Sequence, residues 1–161
     1  MPRFVIQQHQ ARSLHYDFRL EIGGAFASWA VPKGPSTDPR DKRLAMRVED
    51  HSIGWGDFEG TIEPGQYGAG AVIVWDRGTY RNLSDTALED GLRDGHLSFW
   101  LEGEKLRGGW SLRRTGAERD REKWLLVKRR DKEADARRNP VSTQRESVVS
   151  GRTIEEVGGG E

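Results

Sequence analysis

From Leu14 to Ile22 the chain alternates without a break. Leu14, Tyr16, Phe18, Leu20 and Ile22 are apolar or aromatic, and His15, Asp17, Arg19 and Glu21 between them are polar or charged. A period of two puts successive side chains on opposite faces, so this stretch predicts a half-buried strand. Its neighbours repeat the theme. Residues 4–9 read as a preceding strand, Gly23-Gly24 as a two-residue hairpin turn, and residues 26–31 as a returning strand. Residues 43–49 alternate again, with Arg43, Ala45, Arg47 and Glu49 on one face and Leu44, Met46 and Val48 on the other; His51 follows the end. Further strands are predicted at 58–62, 71–76, 97–102, 105–114 and 123–130. Between them, residues 86–93 predict one helix, with Thr86 as N-cap, Glu89 completing a capping box and Gly95 past its end. Strands at this spacing with so little helix predict a mainly β fold, a small closed or nearly closed β-barrel with one or two short helices.

Two connections interrupt the strands. Residues 32–39 contain three prolines, which fix φ and remove donors, so they read as a rigid exposed loop carrying Lys33. Residues 64–70 are glycine-rich but lack the phosphate-loop lysine and open no helix; they read as a bulge or tight corner of the barrel. From residue 131 the apolar periodicity stops. The chain divides into a barrel domain, 1–130, and a polar, solvated linker or tail, 131–161.

Charge and composition narrow the function. Twenty-six basic residues balance twenty-six acidic ones, so any basic patch for nucleic acid must be local. The chain has no cysteine, which removes disulfide frameworks and thiolate zinc sites and suits a reducing cytosol. No apolar run approaches the length that spans a bilayer, and Met1-Pro2-Arg3 leads straight into a strand, so neither a membrane partner nor a signal peptide is expected.

The alternating strand carries the candidate chemistry. Its polar face sets an imidazole, a carboxylate and a guanidinium in a row, about 6.5–7 Å between neighbours. A hairpin with the preceding strand would bring His9 beside His15 and Asp17, a mixed nitrogen and oxygen set for a divalent ion with positions left for water or substrate. Arg19 shares that face, Lys33 sits on a stiff loop, Arg43 and Arg47 lie along one strand face, and His51 ends that strand. Such cations around an ion suit a phosphate ester attacked by water. A solvated face of ion pairs would carry the same row: Arg19 would then pair with Glu21, Lys33 would be an idle loop lysine and His51 a satisfied turn histidine.

These residues also resemble a known family. His9-Gln-Ala-Arg-Ser-Leu-His15-Tyr-Asp17-Phe-Arg19, Ser28-Trp-Ala-Val-Pro-Lys33-Gly-Pro, Arg43-Leu-Ala, Val48-Glu49-Asp-His51, Asp57-Phe-Glu-Gly-Thr-Ile and Gly65-Gln-Tyr-Gly-Ala-Gly-Ala-Val-Ile-Val-Trp-Asp look like the 3′-phosphoesterase domain of bacterial DNA ligase D, from residue 4 to about 128. The resemblance implies a small β-barrel with an internal channel. It implies a manganese-dependent enzyme, with other divalent transition metals as alternatives, that removes 3′-phosphates and trims 3′-terminal ribonucleosides during non-homologous end joining. By position, His9, His15 and Asp17 are the implied metal ligands. His51, Arg19 and Glu49 are the implied catalytic residues, and Arg19, Lys33, Arg43, His51 and Trp55 the phosphate-binding set. Trp55 stands where the family carries tyrosine, and only three residues precede the first strand where some members carry an arm that assists ribonucleoside removal. The implied partners are DNA or RNA-tipped DNA 3′ ends at primer-template junctions, the ligase and polymerase modules in cis or in trans, and Ku, in the cytoplasm at the nucleoid. The tail from Glu146 looks like the segment that joins this domain to the ligase module. A non-catalytic barrel that binds nucleic-acid ends, and an interaction domain with a structural metal, remain alternatives.

Overall fold

A computed structural model describes residues 1–158. Nine strands form one continuous antiparallel sheet: β1 (Arg3–Gln10), β2 (Leu14–Ile22), β3 (Ala25–Val31), β4 (Arg43–His51), β5 (Gly60–Ile62), β6 (Gly70–Asn82), β7 (His96–Gly103), β8 (Arg107–Glu118) and β9 (Arg121–Lys128). The strand order is β1-β2-β3-β4-β9-β8-β7-β6-β5, and a β1–β6 pairing closes the ring. The barrel expected from the spacing is present. β6 is much longer than the predicted 71–76 because its two halves serve different neighbours: its first half pairs with β5 and its far end with β7. Among the described residues no helix is long and apolar enough to cross a membrane.

The β2–β3 hairpin is set locally. Gly23 and Gly24 adopt φ of 64° and 88°, which glycine takes without a Cβ penalty, and the turn pairs Ile22 with Ala25. From that register the alternation of β2 does the rest. Tyr16, Phe18, Leu20 and Ile22 point inward and join one core with Phe4, Ile6, Trp29, Trp75, Tyr80, Phe99, Trp110 and Trp124. Dense aromatic packing of this kind fills the barrel. The internal channel implied by the family resemblance is therefore absent here: large side chains occupy the space it would need. The intervening residues of β2 face outward, and the site lies on the outer wall.

The helix begins later than the capping box predicted. α1 spans Leu88–Asp94 with Ala87 at its N-cap and no side-chain cap bond. The Thr86 carbonyl instead accepts from Asn82 Nδ2 and Ser84 Oγ, which holds Thr86 in the preceding turn. The C-terminal stop holds, with Gly95 left-handed at φ 91°.

The tail differs most from expectation. Over its described part it lies on the barrel rather than in solvent, with two single-turn helices, α2 (Pro140–Thr143) and α3 (Ile154–Gly158). Val141 packs against the main core, and Ile154 packs with Ala71 and Ile73 of β6. Trp75 Nε1 and Lys105 Nζ both donate to the Gln144 carbonyl at 2.8 Å, and Val148 N donates to the Val74 carbonyl at 3.0 Å. The acceptors in these bonds are all backbone carbonyls, which every sequence has, so composition carried no sign of them. Residues 159–161 lie outside the described part.

Candidate active site

The β1–β2 hairpin pairs His9 with His15 and Gln7 with Asp17. Paired residues share a face, so His9, His15 and Asp17 meet on the outer wall. Their ligand atoms all lie within 4.8 Å of one another. His15 Nε2 is 3.1 Å from Asp17 Oδ1, and His9 Nδ1 is 3.7 Å from Asp17 Oδ2.

Neighbouring carbonyls orient both imidazoles. His9 Nε2 lies 2.7 Å from the Gly68 carbonyl, which can only accept, so Nε2 carries a proton and Nδ1 is the atom that faces Asp17. His15 turns Nδ1 toward the Ser13 carbonyl at 3.4 Å, which leaves Nε2 facing the same carboxylate. A carbonyl behind each ring leaves the opposite nitrogen free to face a cation once deprotonated, the arrangement that metal-binding histidines require. Two imidazoles and one carboxylate suit manganese, zinc, cobalt or iron, so the residues present fit a divalent ion.

Burial alone would raise the Asp17 pKa, but contacts from His15 and His9 and the charge of Arg19 hold it well below the usual carboxylate range. Burial would lower the His15 pKa, yet its contact with Asp17 prevails and raises it. The donor set thus holds one ionised carboxylate beside two imidazoles, and protons compete with a cation for it.

Arg19 lies beside this cluster, almost fully buried. Its Nε donates to Gln7 Oε1 at 2.7 Å, its Nη1 to Ser28 Oγ at 2.8 Å, and its Nη2 lies 3.4 Å from Asp17 Oδ2. It pairs with Asp17 and not with Glu21, whose carboxylate accepts from Arg3 N. Gln7 turns its amide the other way, donating to the carbonyls of Trp55 and Phe58 at 2.9 and 3.1 Å. The 3-10 turn Ile53–Asp57 is thereby tied to the guanidinium.

His51 arrives by an irregularity. Ser28 pairs with Val48 but Phe26 pairs with His51, so β4 carries one extra residue between them. Regular alternation would put His51 on the side of Arg47, whose guanidinium lies 5.4 Å from the inward ring of Trp29. The bulge re-aims the imidazole to the outer wall. There it stacks on Trp55 at 5.6 Å, and Trp55 stacks on Phe58 at 4.6 Å. Burial and then the charge of Arg19 lower the His51 pKa, so the ring is neutral at pH 7.

His9, His15, Asp17, Arg19, His51 and Trp55 open, with others, into one cavity of about 900 Å³. Residues 7–114 match the family model described as the DNA Ligase D 3′-phosphoesterase domain. The chain belongs to the DNA ligase D 3′-phosphoesterase family. It is 52% identical over 154 residues to the multifunctional non-homologous end joining protein LigD of Pseudomonas aeruginosa, covering 94% of this chain and 18% of that protein. Identity to the LigD of Mycobacterium tuberculosis is 45% over 123 residues, 76% of this chain and 15% of that one. For the LigD of Mycolicibacterium smegmatis it is 40% over 133 residues, 80% and 17%. The chain thus spans less than a fifth of the length of these multifunctional relatives.

In this 3′-phosphoesterase domain the site residues inferred from sequence separate into two groups. His9, His15, Asp17, Arg19, Glu49, His51 and Trp55 all line the cavity, Glu49 as an exposed residue at the β4 bulge. Lys33 and Arg43 do not line it. Lys33 is exposed in the turn after β3, and Arg43 opens β4 opposite Leu126 with its guanidinium 3.9 Å from Asp41. The glycine-rich stretch 64–70 is no corner of the barrel; it is a turn over the cavity that supplies the Gly68 carbonyl. Sequence reasoning missed Gln7 and Ser28, which position Arg19, and Arg12, Tyr67 and Arg121 at the cavity rim. The only signal for Gln7 was its place on the same strand face as His9.

Proposed function

We propose that this domain is a divalent-metal-dependent phosphoesterase that removes 3′-phosphates from DNA ends, with manganese as its metal. The observation that carries the reading is the meeting of His9, His15 and Asp17 beside a buried, pre-oriented Arg19 in the large cavity. His9 Nδ1, His15 Nε2 and an Asp17 oxygen would hold the ion. When bound, the ion supplies Lewis-acid polarisation of the phosphoryl group and a water of lowered pKa.

The chain's own residues do the remaining work. Arg19, held from behind by Gln7 and Ser28, keeps a second N–H on each Nη for phosphoryl oxygens and stabilises charge that builds in the transition state. His51 starts neutral. The arriving phosphate dianion offsets the influence of Arg19 and raises the imidazole's proton affinity, and the Glu49 carboxylate pulls the same way. His51 can then give a proton to the leaving 3′ oxygen. Trp55 holds the ring by stacking and offers its indole N–H, which is buried without a partner, to the phosphate.

The cavity has room for a nucleoside as well as a phosphate, which supports 3′-ribonucleoside trimming as a second activity of the same site. The substrates would be DNA or RNA-tipped 3′ ends at primer-template junctions, and the setting non-homologous end joining, the route in its relatives' names. Ligase and polymerase modules and Ku would then be its partners.

The test is phosphate release from a duplex with a recessed 3′-phosphate and manganese. Release should vanish with chelator, and His15→Ala or Asp17→Ala should lower kcat/KM at least about a hundredfold while circular dichroism stays unchanged, since several kcal/mol of transition-state stabilisation go with the metal. Tight end binding without turnover would replace the enzyme by an end-binding barrel. Unfolding on chelation would point to a structural metal.

A further inference from the structure

Three features at the mouth of the cavity are not used by the phosphate chemistry. The turn over the site carries Tyr67, whose side chain is 84% exposed. That turn is braced. Gln66 N bonds to the Glu63 carbonyl and Ala69 N to the Gln66 carbonyl, both at 3.1 Å, and Gly65 and Gly68 take φ of 90° and 75°. The next residue after Tyr67 is Gly68, whose carbonyl holds His9 at 2.7 Å. An aromatic ring is thus presented to solvent from a loop fixed to the metal centre.

Arg12 lies in the β1–β2 turn, and Arg121 begins β9 after a tight hairpin with Arg119 and Asp120 at φ 53° and 66°. Both are exposed, both line the same cavity as Tyr67, and among the described residues neither joins an ion pair. In a chain with no net charge they form a local basic rim, on two hairpins distant in sequence. A cavity of about 900 Å³ far exceeds what a phosphate alone fills. Exposed aromatics stack on bases of any sequence, and flanking arginines follow the phosphodiester backbone.

We propose that Tyr67, Arg12 and Arg121 form a strand-binding rim. Tyr67 stacks on a nucleobase of the strand whose 3′ end enters the site, and the two arginines hold that strand's phosphodiesters. This rests on the phosphoesterase reading and extends it: the rim makes the site prefer an oligonucleotide end over a small phosphomonoester, without reading sequence.

The test compares a 3′-phosphorylated oligonucleotide with p-nitrophenyl phosphate, using the full chain loaded with manganese. The Tyr67→Ala variant should lower the ratio of the two kcat/KM values about five- to hundredfold, the range of one lost base stack, through KM on the oligonucleotide, and Tyr67→Phe should restore it. In each of Arg12→Gln and Arg121→Gln, the slope of log affinity against log salt should shrink by about 0.7. An unchanged ratio in Tyr67→Ala, or a Tyr67→Phe variant as poor as Tyr67→Ala, overturns the stacking role. Unchanged salt slopes overturn the arginine clamp. If the wild type releases phosphate from neither substrate, the phosphoesterase reading fails by itself. Fluorescence anisotropy with a labelled oligonucleotide then still decides the rim: weaker binding by Tyr67→Ala supports it, and equal affinity overturns it.

Discussion

Replacing Gln7 by methionine should cripple the site without touching any residue that meets substrate. Gln7 is fully buried, and its amide bonds both to Arg19 and to the turn that carries Trp55. Methionine matches its length and removes all three hydrogen bonds. The bond to the charged guanidinium is worth about 1.5–3 kcal/mol and each bond to a carbonyl about 0.5–1.5 kcal/mol. The three bonds sum to about 2.5–6 kcal/mol, and since the bonds to the carbonyls are only part-buried the lower half of that range applies, a loss of about 3–4 kcal/mol in stability. Urea unfolding of the metal-free protein reads this directly as a lower midpoint at unchanged slope. Arg19 keeps Ser28 and Asp17, so it stays in the pocket but loses its fixed angle, and the Trp55–His51 stack loosens with it. A kcat/KM drop of about ten- to a hundredfold corresponds to 1.4–2.7 kcal/mol of lost positioning. The variant Gln7→Glu separates the two directions: it keeps an acceptor for Arg19 but sets a carboxylate against two carbonyls, so it should lose Trp55 positioning more than phosphate binding. A Gln7→Met protein within 1 kcal/mol of wild type, turning over normally, would refute the claim that this side chain couples the two halves of the site.

The His15–Asp17 contact gives the metal-free protein a pH signature. The folded pKa of His15 is raised, so its contribution is fully present below the unfolded value and is lost as pH rises through the folded one, whereas depressed Asp17 contributes until acid protonates it. His15→Ala should therefore remove a contribution that favours pH 6 over pH 8 in chelator-treated protein, while His51 and His96, whose pKa values are lowered by burial, favour the higher pH in both proteins; an unchanged difference in melting temperature between the two pH values would assign the contribution elsewhere. Manganese affinity, measured by calorimetry, should run the opposite way and rise with pH as His15 loses its proton. His96 opens β7, exposed and away from the cavity lining, so His96→Ala should change stability by under about 0.5 kcal/mol and leave turnover intact, and a dead enzyme would show that the site is drawn in the wrong place. Trp55→Tyr keeps an aromatic ring for His51 and restores a hydroxyl, so activity should hold or rise; a collapse would reveal a specific need for the indole N–H.

Local patterning alone placed the strands, though not the full length of β6, and set the sidedness of β2. An unbroken period of two, ended by a two-glycine turn, leaves one register in which the aromatic positions are buried, and that register also lines up His15, Asp17 and Arg19. The His9–His15 meeting followed from the same hairpin logic. Tertiary structure decided the rest. A bulge in β4 turned His51 toward the site, and nothing in the local alternation of residues 43–51 encodes an extra residue, because a bulge exists only relative to a partner strand. The barrel filled its own interior with four tryptophans and left the chemistry on its outer wall, a choice that depends on summed side-chain volume. Lys33 and Arg43 are not among the residues that line the cavity, a placement that depends on where the turn after β3 and the start of β4 fall in the closed ring. The tail docks through a few scattered apolar residues, Val141, Val148 and Ile154, and through bonds to backbone carbonyls, and neither makes a periodic pattern that sequence would show.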